Sequence, residues 1–287
     1  MDYTEQRKWL RGVLAGTECI SPASVYDALS ARVAESVGFK LGMLAGSVAS
    51  QTTLAAPDLI VLTLTEFADQ IRRIMRASKL ALLVDADHGY GNALNAIRTV
   101  EEVEHAGASA LCIEDTVLPL RYGQAEGVDE MVSTGEMIGK LKAAVAARRD
   151  PNFIVLGRTS GLRAADLAET VARVKAYSGT GVDGIFIVGL ETVEQIDAIH
   201  KATPLPIVVG NAPASLKRED LAARGARILL QGHQPVAAAA KALRETYEHL
   251  YKGGAPGELR DKILSAGEMD KLTAGDDHKR WIAEYLR

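Results

Sequence analysis

Short apolar runs recur along the chain and alternate with amphipathic stretches. The runs fall at 19–21, 41–44, 80–84, 110–113, 153–156, 184–188, 206–209 and 227–230. Several are built of Val, Ile and Leu without alternation, the pattern of strands buried on both faces. Between them, 66–77, 93–106, 134–148, 164–178, 192–202 and 216–224 carry apolar residues at helical spacing. An apolar run followed by a helix, repeated through the chain, predicts a (β/α)8 TIM barrel of the α/β class; a doubly wound open sheet is the competing architecture. Two segments lie outside the repeat. Residues 2–15 read as a helix before the first strand. A breaker-rich link, K-G-G-A-P-G-E at 252–258, follows the last barrel helix at 235–251, and helical stretches at 259–272 and 276–286 close the chain. The expected organisation is one domain over 1–287, with an N-terminal helix (1–17), the barrel (18–251) and C-terminal helices (252–287).

The strand ends say more than the strand count. The runs give way to Ser21, to Gly46 and Ser47, to Asp85, Asp87 and His88, to Glu114 and Asp115, to Arg158 and Thr159, to Gly189, to Gly210 and Asn211, and to Gly232 and His233. In a closed parallel barrel these ends converge on one face, where active sites lie. A purely structural protein has no reason to repeat charged residues at that one phase. The pattern points to an enzyme.

Composition narrows the partners. With 47% hydrophobic and 24% charged residues the chain can bury a large core. A formal net charge of −4 gives no electrostatic reason to bind nucleic acid or an anionic membrane. A small acidic substrate remains open, because a local cationic pocket outweighs the total. The two cysteines, Cys19 and Cys112, are too few and too far apart for a disulfide framework or a metal pair and read as reduced thiols. The charged N-terminus lacks a signal-peptide core, and no run approaches a membrane span, so the expected location is the cytoplasm.

The richest motif is L-V-D-A-D-H-G-Y-G-N, residues 83–92. Asp85 and Asp87, two apart, share a face if the extended chain continues. Glu114 ends the next strand, and Asp58 lies in the long connection after the second. Carboxylates gathered at one mouth raise one another's pKa unless a cation sits among them. Oxygen-only donors favour Mg²⁺, with Mn²⁺ as the alternative, over zinc. Asp115 is read equally as a ligand or as a cap or salt-bridge partner. Opposite the acids, Arg158 is a candidate bidentate holder for a substrate carboxylate, or else an ion-pair partner for a mouth acid. Gly46 and Ser47 offer N–H groups and a hydroxyl to an anionic oxygen. His233 stands at the eighth strand end, while His88, inside a turn, is the weaker candidate.

These residues resemble the phosphoenolpyruvate mutase/isocitrate lyase superfamily. The resemblance is carried by G-F-K-L-G-M-L-A-G-S-V-A-S (38–50), A-A-P-D-L-I-V-L-T-L-T-E (55–66), V-D-A-D-H-G-Y-G-N (84–92), I-E-D-T (113–116), G-R-T (157–159) and I-L-S-A-G-E-M-D-K-L (263–272). It implies a barrel whose C-terminal helix is exchanged between subunits, hence a homotetramer built as a dimer of dimers. It implies Mg²⁺ bound directly by Asp85, with Asp58, Asp87 and Glu114 around its waters. Arg158, Gly46 and Ser47 would hold the pyruvate-like end of a dicarboxylate.

The departures from the family sharpen the expectation. The lyase branches carry a lysine-and-cysteine loop where this chain reads P-L-R-Y-G-Q (119–124), so that Tyr122 replaces the Cys. Cleaving isocitrate-like substrates needs an acid there to protonate the departing carbanion. His88 stands where many members have Thr, and with the G-H of the eighth strand it makes the chain most similar to the oxaloacetate decarboxylase branch. Decarboxylation needs an electron sink and no acid for the leaving CO₂. In that reading Arg158, His233 and Asp58 are the catalytic set, and His233 either orients the C4 carboxylate or protonates the enolate. The alternatives are a carbon–carbon lyase acting on a substituted malate or methylisocitrate-like 2-hydroxy acid, and a dicarboxylate sensor without turnover. Closure of the 119–127 loop over the site stays open.

Overall fold

Strands with side chains buried on both faces need cover inside and outside, and the chain supplies both by closing a parallel sheet on itself. In chain order the elements are α1 (Thr4–Ala15), β1 (Ala23–Ser24), α2 (Ala28–Ser36), β2 (Leu41–Leu44), α3 (Gly46–Leu54), α4 (Leu64–Ala77), β3 (Ala81–Asp85), α5 (Ala93–Ala106), β4 (Ala110–Glu114) and α6 (Thr134–Ala147). They continue as β5 (Ile154–Thr159), α7 (Gly161–Ala164), α8 (Leu167–Ser178), β6 (Gly184–Ile187), α9 (Val193–Ala202), β7 (Ile207–Val209), α10 (Arg218–Ala222), β8 (Ala226–Leu229), α11 (Gln234–Tyr251), α12 (Ala266–Leu272) and α13 (Gly275–Tyr285). This computed structural model describes residues 2–124 and 129–287.

The strands pair in parallel in the order β1 to β8. Ile20 closes the ring: its N–H donates to the Arg227 carbonyl, and its own carbonyl accepts from Leu229, both at 2.9 Å. The fold is a (β/α)8 barrel. One expectation needs correction here. The run at 19–21 is not the first strand but this single closing bridge, and β1 begins only after Pro22.

Side chains divide by strand phase into two cores. Leu82 and Val84 of β3, Leu111 and Ile113 of β4 and Val155 of β5 face outward, against Phe67, Ile71 and Val100 of the helices. Leu83, Ala110, Cys112, Ile154, Leu156 and Phe186 face inward. Leu10 and Leu14 of α1 join that inner core from the N-terminal end and plug it. Arg7 pins α1 there: Nε donates to the Ala108 carbonyl at 3.0 Å, Nη2 to that of Glu104 at 2.7 Å, and Nη1 meets Asp150 at 2.8 Å.

The same phase decides where the chemistry lies. Asp85 follows Leu83, Glu114 follows Cys112 and Arg158 follows Leu156 by two residues each, so all three continue the inward series at the C-terminal mouth. At the other extreme, α11 buries none of its 18 residues. No helix among the described residues is long and apolar enough to cross a membrane.

Candidate active site

β3 delivers Asp85 to the mouth, and then the chain turns sharply. The Ala86 N–H donates to the Cys112 carbonyl at 3.0 Å, the last rung of the β3–β4 pairing. Asp87 then enters the left-handed region at φ 47°, and Tyr90 follows at φ 58°. Side-chain-bearing residues held there cost ~1–3 kcal/mol each and persist only when the surroundings over-determine them. Here the Asp87 carbonyl is tied to the Glu114 N–H at 2.8 Å, and Gly89 closes back on the Ala86 carbonyl at 2.8 Å. Gly91, at φ 145°, leaves space for Asn95, whose side chain accepts from the Asn92 N–H at 3.0 Å and completes the cap of α5. The premise that Asp85 and Asp87 share a face of a continuing strand therefore fails. A turn, not an extended chain, brings the second carboxylate beside the first.

Arg158 is the centre of the cluster. One terminal nitrogen, Nη1, donates to Asp85, and Nη2 meets Glu114 at 2.8 Å. The guanidinium lies over Phe186 at 5.4 Å from the ring centroid. Its Nε is buried and has no hydrogen-bond partner. The ion pair with mouth acids is formed, and it leaves Nε without a partner. Burial opposes its charge, but Asp85 and Glu114 hold the guanidinium firmly protonated.

The acids crowd one another. Burial, then the charges of Asp85, Glu114 and Asp58, push Asp87 well above the usual carboxylate range. Burial also pushes Glu114 up, to about 7, against the pull of Arg158 and with Asp85, Asp115 and Asp58 adding to the rise. Asp58 stands on the exposed connection between α3 and α4. Lost water around its carboxyl and the charge of Asp85 raise its pKa too, but solvent screens this shift and it weighs least. Gly46 opens α3 directly against Asp87, where an added Cβ would collide with the carboxylate. Ser47, half-buried, follows it in the first turn of α3.

His233 sits on the opposite wall. β8 ends, Gly232 turns at φ 86°, and His233 precedes α11. Its Nδ1 lies 2.9 Å from the Ser24 hydroxyl of β1. Burial lowers its pKa, while Asp85 and Asp58 oppose that effect. Asp58, Asp85, Asp87, Glu114, Arg158 and His233 therefore act on one another electrostatically, from five separate parts of the chain.

Other candidates point elsewhere. Asp115 is fully buried and accepts from Thr159 Oγ1 at 2.7 Å, Tyr177 Oη at 2.9 Å, the Ser160 N–H at 3.0 Å and Arg173 at 3.2 Å. It is a structural anchor. His88 is buried with Nδ1 unpartnered, and burial, helped by the charge of Lys140, lowers its pKa to about 4. Tyr122 is fully exposed. Loop residues 125–127 lie outside the described residues.

Two contacts were missed by sequence reasoning. Cys112, the register partner of Asp85, donates its thiol to Asp85 Oδ1 at 3.2 Å. Ser24 escapes sequence reasoning because the apolar run at 19–21 draws the first strand too early. A pairing register would have revealed Cys112; nothing short of the strand's true start would have revealed Ser24.

Among the described residues, no three His, Cys, Asp or Glu side chains enclose a point by themselves. The donor set still fits a hard divalent cation. It offers only oxygen, its acids repel one another, and Mg²⁺ commonly takes one or two carboxylates and keeps its waters.

Residues 11–251 match the phosphoenolpyruvate phosphomutase family. The chain is 50% identical over 287 residues to an oxaloacetate decarboxylase of Bradyrhizobium sp. strain BTAi1, covering 100% of this chain and 99% of that one. It is 49% identical over 277 residues to an oxaloacetate decarboxylase of Rhodopseudomonas palustris strain CGA009, covering 96% of this chain and 95% of that one. Among solved structures, phosphonopyruvate hydrolase in complex with oxalate and Mg²⁺ matches with a TM-score of 0.87 and 30% identity, over 98% of this chain and 99% of that one.

Proposed function

The chain belongs to the phosphoenolpyruvate phosphomutase family, and from that membership we propose that it decarboxylates oxaloacetate to pyruvate and CO₂ with a divalent cation, Mg²⁺ or Mn²⁺. The observation that carries the reading is the ring of acids around one guanidinium. Asp85 and Glu114 grip Arg158 while Asp87 is pushed well above its ordinary pKa. A divalent ion bound there supplies Lewis acidity, an electron sink worth several kcal/mol to a developing enolate.

In this reading Asp85 holds the ion directly, and Asp87, Glu114 and Asp58 hold its waters. Arg158, with the N–H groups that Asp85 and Glu114 leave free, takes an oxygen of the C1 carboxylate. Gly46 and Ser47, at the start of α3, meet another oxygen of the same end. His233 faces the C4 end. As the C3–C4 bond breaks, its electron pair becomes the enolate, CO₂ departs, and a proton delivered to C3 gives pyruvate. The leaving group needs no proton, which accords with Tyr122 standing in solvent where the lyase branches carry their acid.

The same reading treats residues 1–287 as one domain in a cytoplasmic homotetramer. In support, α11 buries nothing, and Leu243, Tyr247 and Tyr251 on it are exposed, as are Trp281, Ile282 and Tyr285 of α13. Such rows of apolar side chains mark a surface that another chain covers.

Product identification tests the proposal. Purified protein with Mg²⁺ should convert oxaloacetate to pyruvate and CO₂ and leave substituted malates and methylisocitrate intact. Glyoxylate or a succinate-type product from a 2-hydroxy acid would establish the lyase alternative instead.

A further inference from the structure

We propose that Ser24 sets the tautomer of His233, donating its hydroxyl to Nδ1 so that Nε2 carries the hydrogen that meets the substrate. The inference rests on the decarboxylase reading for its kinetic consequence, but not for the tautomer itself.

Ser24 occupies the second and last position of β1, pairs with Met43 in the ladder and is 8% exposed. Its Oγ lies 2.9 Å from His233 Nδ1, across 209 residues of chain, and it has no other hydrogen-bond partner among the described residues. A neutral imidazole carries one hydrogen, so the pair has two arrangements. If Nδ1–H donated to Ser24, the serine's own hydrogen would have no protein acceptor among the described residues. An orphaned buried donor costs ~1–3 kcal/mol. If Ser24 donates to Nδ1, only spare acceptor capacity on the hydroxyl is left unfilled, which costs less.

The second arrangement also fits the site. With Nδ1 anchored to the barrel wall, Nε2 is the nitrogen left for the mouth, where Asp58 and Asp85 already exert their charges on the ring. An Nε2 lone pair would repel a dicarboxylate, whereas an Nε2 hydrogen would bind one of its carboxylate oxygens. Ser24 touches no reacting atom. It is a positioning residue that acts through His233.

The test combines a nitrogen spectrum with a double-mutant cycle on the full-length protein. His233 is one of six histidines, and comparison with His233→Ala assigns its signals in ¹⁵N-histidine-labelled protein. The Nε2–H tautomer is expected; an Nδ1–H tautomer overturns the proposal whatever the substrate proves to be. In kinetics, Ser24→Ala should lower kcat/KM for oxaloacetate by about tenfold, less than the ~10²–10⁴ that a placed proton-handling group itself supplies, because the serine acts only through His233. Ser24→Thr, which keeps the hydroxyl, should recover most of that loss. The double variant should be no slower than His233→Ala alone, because the serine then has nothing to orient. Full activity in Ser24→Ala, or losses that multiply in the double variant, would overturn the assignment. Mn²⁺ binding followed by electron paramagnetic resonance should be the same in all variants, and a global loss of it in Ser24→Ala would mark a structural role instead. If the parent failed to turn over oxaloacetate at all, the decarboxylase reading would fall while the spectrum still decided the tautomer.

Discussion

Glu114 and Arg158 are register partners in the β4–β5 ladder, and their side chains meet at 2.8 Å while the same guanidinium reaches Asp85 on β3. Three neighbouring strands are thereby cross-linked by charge at the mouth. One cation serves two buried acids, with Asp87 and Asp58 beside them, so the negative charge there exceeds what Arg158 alone can balance.

Arg158→Ala should therefore destabilise the metal-free protein by ~3–5 kcal/mol, the usual cost of stripping one partner from a buried ion pair. Mg²⁺ should recover part of the loss, because it binds the acids of the folded state. Thermal melts with and without Mg²⁺ check this, and a variant insensitive to Mg²⁺ would count against the charge imbalance.

Cys112 bonds Asp85 Oδ1 at 3.2 Å from beneath, within the inner core. Outer partners of a ligating carboxylate typically change metal affinity ~10–100-fold when removed. Cys112→Ser keeps a donor and should hold Mn²⁺ nearly as well as the parent. Cys112→Val packs as well but donates nothing, and should bind Mn²⁺ about tenfold more weakly. The reverse order in a Mn²⁺ titration would make the residue a packing element only.

His88 gives a pH dependence whose sign is fixed. Burial, aided by Lys140, lowers its pKa to about 4 from the ordinary 6.5, so the unfolded chain binds more protons between those values. Its contribution is present above pH 6.5 and is lost as pH falls toward 4, by about 3 kcal/mol in all. His88→Gln should flatten that part of the curve. Urea denaturation at pH 7 and pH 5 measures it, and an unchanged slope would mean that His88 is reached by solvent.

Tyr122 should be dispensable. It is fully exposed, and the proposed chemistry asks nothing of this loop. Tyr122→Phe should keep kcat within about twofold of the parent, the range of an ordinary surface change. A large loss would revive the lyase alternative, in which this position supplies an acid.

Much of the molecule is legible in the sequence. The helix expected at 93–106 is α5 as formed, because Asn92 caps it and Gly107 ends it in the left-handed region. Strand phase points to Asp85, Glu114 and Arg158, whose side chains meet in the structure. What escaped had no periodic signal. Ala23 and Ser24 make a strand of two residues, too short for any alternation. The sequence reading places no helix over Gly46–Leu54, whose Ser and Thr residues leave no clear apolar stripe, yet α3 forms there and opens against Asp87. The partners of Asp85 depend on register, which a single strand's pattern does not contain.

Metal removal tests the central claim most directly. Protein stripped with a chelator and assayed with oxaloacetate should lose more than about 100-fold in the rate of pyruvate formation, since several kcal/mol of charge stabilisation goes with the ion. Added Mg²⁺ or Mn²⁺ should restore it. An equal rate in the stripped protein, corrected for the spontaneous reaction, would contradict the account.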